Sequence, residues 1–130
     1  MSAPASATYS AAAKVAAHTS FRDLIDSGTG AGLIKVRDAS DVLLGTCTCS
    51  DPCGTVNGTT GQLTFSAVTG DSSADNGGTA AYVEICDSDG DVHLSLPTQA
   101  GTSPVSGKAV FNTLTITAGG PIEVVSITVG

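Results

Sequence analysis

Three cysteines, Cys47, Cys49 and Cys53, lie within the seven-residue stretch CTCSDPC, and a fourth, Cys86, lies farther along the chain. Such a cluster could hold a metal, take part in disulfides, or supply small apolar side chains to a core. Zinc sites usually pair cysteines two to four residues apart, twice or with histidine. The spacing C-x-C-x₃-C fits that pattern poorly.

Cys47 and Cys49 are two residues apart, so in a strand they project from the same face. Their Cα atoms would then be too far apart for a disulfide. The sequence favours buried thiols here, with a disulfide that includes Cys53 or Cys86, or a metal site, as alternatives. Pro52 cannot donate a ladder hydrogen bond, which predicts a turn after the strand. Cys53 is therefore predicted to be the thiol that reacts or meets a partner cysteine.

The acidic stretch DSDGD, residues 87–91, resembles the start of a calcium loop. An EF-hand loop requires glycine at its sixth position and glutamate at its twelfth. Here Gly90 is fourth and Thr98 is twelfth. The stretch instead predicts a solvated hairpin tip, with Asp89 and Gly90 in a type I′ turn. Cation binding by this loop, or by the loop that carries Asp71 and Asp75, is left open.

The remaining polar residues predict no catalysis. His93 shares a strand face with Asp91 and Ser95, but neighbours on one strand cannot converge as a catalytic triad does. GTGAG, residues 28–32, follows a predicted helix and precedes a strand, which is the reverse of a phosphate-binding loop. We expect no enzymatic activity, no catalytic or cofactor-binding residues, no metal and no cofactor.

Composition sets the fold class that must position these residues. The chain has 130 residues, of which only 13% are charged, and it is rich in threonine and glycine, which favours one all-β domain. The net charge of −7 with five scattered basic residues argues against nucleic-acid and anionic membrane partners. No apolar run reaches the length of a membrane span, and the N-terminal stretch lacks the features of a secretory signal. Reduced thiols are therefore expected.

The pattern of elements predicts two regions, an extended N-terminal arm over residues 1–17 and a β-domain over residues 18–130. The arm is expected to lie on a neighbouring subunit, with Tyr9, Lys14 and Val15 as its assembly residues. A short helix is predicted to begin after Thr19 or Ser20 and to end at Gly28. Seven strands are predicted at residues 33–37, 42–49, 62–67, 79–86, 92–96, 108–117 and 122–129. Seven short strands indicate a β-sandwich or jelly-roll-like barrel.

From residue 21 onward the chain resembles small structural proteins encoded in the head genes of tailed bacteriophages. The stretches that carry the resemblance are LIDSGTGAGLIKVRD, LLGTCTCSDPCGTV, GTAAYVEICDSDGDVHL and TLTITAGGPIEVVSITVG. Members of this family have aliphatic residues where this chain has the cysteines at 47, 49 and 53. The resemblance supplies no catalytic residues.

The resemblance implies a capsid decoration (cement) protein, β-rich and commonly trimeric, that contacts the major capsid protein on the outer surface of the virion. We therefore expect a homo-oligomer, a trimer, and no nucleic-acid or membrane partner. Two alternatives are kept. One is another virion component, at the head–tail junction or in the tail. The other is a glycan- or calcium-binding β-sandwich module of a fibre or adhesin, although such modules usually present exposed aromatic side chains.

Overall fold

The computed structural model describes residues 9–129 of the chain. It is mostly β, with one helix packed against a large curled sheet. In chain order the elements are α1 (Ala11–Ile25), β1 (Leu33–Arg37), β2 (Leu43–Thr48), β3 (Gly54–Val56), β4 (Leu63–Phe65), β5 (Gly78–Thr79), β6 (Tyr82–Cys86), β7 (Val92–Ala100), β8 (Lys108–Phe111), β9 (Thr115–Ile116) and β10 (Val124–Val129).

Eight strands form one mixed sheet in the order β2-β1-β6-β7-β8-β10-β4-β3, and β5 pairs with β9 in a separate two-stranded sheet. All neighbours are antiparallel except β7 and β8. The large sheet curls into a half-barrel. A bridge between Thr48, at the end of β2, and Thr69, beyond β4, ties its two ends together. The prediction of a mostly β fold is confirmed.

One apolar core lies on the concave side of this sheet. Alternate residues of β1 and β6 enter it, among them Ile34, Val36, Val83 and Ile85, which are fully buried. The residues between them along the strands, such as Lys35 and Glu84, pair with each other and point to the opposite face. Phe111 is the largest fully buried side chain, so the scarcity of aromatics leaves a core built mainly from aliphatic residues and thiols.

The strand predictions hold most closely for β1, whose observed bounds are those predicted. Two predicted strands, 79–86 and 108–117, are each broken, because the chain leaves the large sheet to form β5 and β9. β3 lies inside a stretch predicted as a turn. β7 continues to Ala100 through Pro97, where its pairing passes from β6 to β8.

The helix begins earlier than predicted. Ser10 caps α1, and its Oγ accepts a hydrogen bond from the N–H of Ala13 at 3.1 Å. Residues 11–17 are therefore helical and not an extended arm, which agrees with the high helix propensity of alanine. The rest of the predicted arm, residues 1–8, lies outside the described residues.

One face of α1 packs on the domain. Ile25 is fully buried, and Phe21 packs against the core one turn earlier. Farther up the helix, the Nδ1 of His18 donates a hydrogen bond to the carbonyl of Gly61 in the β3–β4 loop. Just beyond the helix, Asp26 Oδ1 accepts a hydrogen bond from the N–H of Cys53 at 2.8 Å. Helix and sheet are thus joined along the length of α1.

Two hairpin loops, 38–42 and 87–91, share one design. In each, an aspartate opens the loop, and its Oδ1 accepts hydrogen bonds from the backbone N–H groups two and four residues later, at 2.8–3.0 Å. In each, the fourth residue has a positive φ, 66° at Asp41 and 90° at Gly90. Asp89 has no positive φ, so the predicted type I′ turn is wrong. A five-residue loop whose fourth residue has a left-handed conformation replaces it.

Candidate functional site

The four thiols are buried in the described fold. Cys47, Cys53 and Cys86 are fully inaccessible, and Cys49 is 4% exposed. Cys47 and Cys49 face the core from the end of β2, as the period of two predicted, and all four cysteines are free thiols. The described residues include no group of three or more Cys, His, Asp or Glu side chains arranged to hold a metal ion. These thiols pack as small apolar side chains.

Cys53 lies outside β2, as predicted, but it is not accessible. Its N–H is held by Asp26, and its carbonyl accepts a hydrogen bond from the N–H of Ser66 at 2.9 Å. Burial raises the pKa of the Cys53 thiol to about 12, with the nearby Asp26 carboxylate acting in the same direction. The thiolate is the reactive form of cysteine. The geometry therefore argues against the predicted reactivity of Cys53.

Asp87 and His93 form the only aspartate–histidine pair among the described residues. His93 Nε2 donates to Asp87 Oδ2 at 3.0 Å, while Oδ1 of the same carboxylate accepts the N–H groups of Asp89 and Asp91. The hydrogen bond from His93, followed by those backbone donors, lowers the pKa of Asp87. Both oxygens of the Asp87 carboxylate thus accept hydrogen bonds within the hairpin. The sequence placed His93 on a strand face with Asp91, but its hydrogen-bond partner is Asp87.

A second polar cluster lies on the convex face of the sheet, across β1 and β6. The Nε of Arg37 donates to Glu84, and its Nη1 donates to the carbonyl of Asp41 at 3.0 Å. The hydroxyl of Tyr82 donates to Asp41 Oδ1 at 2.7 Å, and this hydrogen bond raises the pKa of Tyr82. The hydrogen bond to Glu84 likewise raises the pKa of Arg37. The cluster fixes the Asp41 loop against its neighbouring strand and has no apparent reactive group.

The predicted assembly residues separate into two groups. Tyr9 is 71% exposed, immediately before the helix cap. Lys14 and Val15 are half-buried on α1 and lie against Gly61, where an added Cβ would come within 2.3 Å of the Lys14 Cβ. Lys14 and Val15 thus contact their own domain, contrary to their predicted place on an extended arm.

The concave features of the described surface are shallow. Three clefts of about 150, 200 and 240 Å³ open along residues 121–127. Sites that enclose a small molecule usually measure roughly 300–1,000 Å³. No cleft of the three contains the Asp87–His93 pair or a cysteine. Sequence reasoning missed these clefts, because they arise where two distant segments of the chain diverge.

Among the described residues there is no helix long and apolar enough to span a membrane. Searches against protein-family models, curated proteins and solved structures gave no match to this chain.

Proposed function

We propose that this chain is a non-enzymatic structural protein of a tailed-phage virion, a capsid decoration protein that contacts the major capsid protein on the outer surface of the head as a trimer. The resemblance of the chain from residue 21 onward to such proteins is one support. The other is physical: only 13% of the residues are charged, so a face of the β-body can be buried against neighbours with little desolvation of charge. In this proposal the curled sheet and its small companion sheet act as a sandwich-like body.

One observation carries the proposal. The side chains that could take part in a reaction instead form hydrogen bonds within the fold or are buried. Asp87 and Asp38 hold hairpins, Asp71 Oδ2 accepts the N–H of Thr46 at 3.0 Å, and the thiols are buried. The structural roles of these carboxylates and thiols favour a protein that acts by binding neighbours through its surface. It also counts against a glycan-binding module, since Tyr9 is the only exposed aromatic among the described residues.

The experiment is to purify particles of the phage that encodes the chain, to separate heads from tails, and to quantify this protein in each by mass spectrometry. We expect it in heads, at a fixed ratio to the major capsid protein, and we expect purified protein to cosediment with heads that lack it. Its presence in tails alone would favour the alternative virion position. Its absence from both fractions would overturn the proposal.

A further inference from the structure

Two antiparallel segments, 63–71 and 122–129, separate in the middle of their length. They pair at one end through Thr64 and Thr128, and at the other through a bridge between Asp71 and Ile122. Between these pairs no ladder contact joins the two segments in the described chain. The opening between residues 65–68 and 124–127 is called the slot below.

The separation has a local cause on each side. After β4 the chain turns toward β2 and β3, where the N–H of Ser66 reaches the carbonyl of Cys53 and Thr69 pairs with Thr48. On the other side, β10 keeps its pairing with β8 but carries a bulge at Val125. The edges of the two segments that face each other are therefore not paired in a ladder, and their backbone and side chains line a gap.

Apolar side chains form the larger part of the slot wall, and Ser66 is among the polar residues that line it. Its volume is about 200 Å³, and its walls include Phe65, Val68, Val124 and Ile127. Ser126 also lines it. The Oγ of Ser126 is buried and has no hydrogen-bond partner among the described residues. That atom has no exposed surface, so an occupant of the slot does not reach it. The groups open to an occupant are the facing backbone edges between the two pairs.

Charge is distributed unevenly along the slot. Next to one end, a separate cleft is lined by Asp71 and Glu123. At the other end, Lys108 pairs across the ladder with Thr128. The Asp71 carboxylate accepts only backbone hydrogen bonds, from Thr46 and Ser73, and Glu123 is exposed. Neither forms a salt bridge in the described chain, so this end remains negative.

We propose that the slot binds an extended segment of another polypeptide. Small apolar side chains of that segment enter the slot, its backbone forms hydrogen bonds with the facing edges, and a lysine or arginine meets Asp71 and Glu123. Strand-like recognition of this kind takes affinity from backbone hydrogen bonds and specificity from alternate side chains. Charge complementarity selects a basic segment and sets its direction. This inference does not depend on the proposed virion role.

The test uses the acetylated, amidated heptapeptides KKAVAVA and AVAVAKK, with EEAVAVA and AVAVAEE as controls. Each is titrated into the ¹⁵N-labelled full chain at low salt, and amide shifts are followed by NMR. We expect one basic peptide to bind in preference to the other, with shift changes confined to residues 64–71 and 122–128. The acidic peptides should bind more weakly.

Two variants check the assignment. Glu123→Lys should weaken binding of the basic peptide by up to about fivefold at low salt, the range of an exposed charge pair, and less at high salt. Ser126→Leu should fill the slot and abolish binding. Ser126→Ala is the matched control, and it should leave the slot open and binding unchanged, because the Oγ of Ser126 is not exposed. Absence of binding by both basic peptides, shift changes elsewhere on the surface, or equal binding of acidic and basic peptides would each overturn the proposal.

Discussion

At the scale of the residue, burial decides the chemistry of the thiols. Burial raises the pKa of Cys47 to about 11 and that of Cys49 and Cys53 to about 12, from an ordinary value of 9.0. These thiols stay protonated in the folded protein at pH values where the unfolded chain ionises. Folding stability is therefore linked to pH in the alkaline range.

The sign of this linkage gives the first prediction. Below pH 9 both states hold their thiol protons, and the full stability is present. As pH rises from about 9 toward 11, the unfolded state loses protons that the folded state keeps, so stability falls by up to ~1.4 kcal/mol per pH unit for each thiol. Urea unfolding under reducing conditions at pH 7, 9 and 10.5 measures the slope. Cys49→Ala should make it shallower, and an unchanged slope would contradict the account.

Asp87 shows the opposite linkage. Its pKa lies below the ordinary 3.8 because of His93 and two backbone donors, so it stabilises the fold above about pH 4. That contribution is lost as pH falls through its lowered folded-state pKa. Asp87→Asn should be less stable than the wild type at pH 7 and should lose less stability between pH 5 and 2. Asp89→Asn, at an exposed neighbour, is the matched control; a similar loss in both variants would show that the hairpin does not depend on Asp87.

At the scale of the element, patterns of neighbouring residues predicted strands well only where the chain stays in one sheet. β1 alternates regularly, and its predicted bounds hold. β3 was missed because its three residues sit among turn-forming residues and owe their strand to pairing with β4. The start of α1 was missed because residues 1–17 were predicted to form an extended arm, although Ser10 provides a helix cap. The pairing of distant strands and the packing of α1 on the sheet cannot be predicted from the local periodicity of the sequence.

The contribution of packing between α1 and the β3–β4 loop to stability can be separated from the cost of backbone strain by comparing two glycines. Gly61 and Gly119 have nearly the same positive φ, 78° and 79°. A Cβ at Gly119 would meet nothing within 4 Å, whereas a Cβ at Gly61 would lie 2.3 Å from the Lys14 Cβ and 3.0 Å from the Val15 nitrogen. Gly119→Ala should cost about 1–2 kcal/mol from φ alone. Gly61→Ala should cost at least about 1 kcal/mol more, because the helix must shift. Equal losses in chemical denaturation would mean that helix and loop are not tightly packed.

At the scale of the whole molecule, the candidate site was less predictable than the fold. The sequence predicts buried Cys47 and Cys49 from a two-residue period, and the structure confirms this burial. It does not predict the slot, because residues 65–68 and 124–127 are far apart in the sequence and are brought together only by the tertiary fold. Likewise, the partner of His93 is Asp87, six residues away along the hairpin, and its identity depends on the loop conformation.

Because residues 11–17 are helical, an assembly role of the N-terminal residues is tested with a deletion that ends before the helix cap. Deleting residues 1–9 removes neither the Ser10 cap nor any residue of α1, so the fold and its melting temperature should be preserved. Deleting residues 1–17 removes the cap and the first seven residues of a fifteen-residue helix, and it should lower stability even though Ile25 remains. Thermal melts followed by circular dichroism compare the two.

Cosedimentation with phage heads then separates folding from assembly. If residues 1–9 contact a neighbouring subunit, the shorter deletion should fold normally but fail to bind heads. Tyr9→Ala, which changes the exposed side chain next to the helix cap, should weaken binding without altering the melt. Full binding by the shorter deletion would exclude an assembly arm over residues 1–9 and would place the contacts on the β-body.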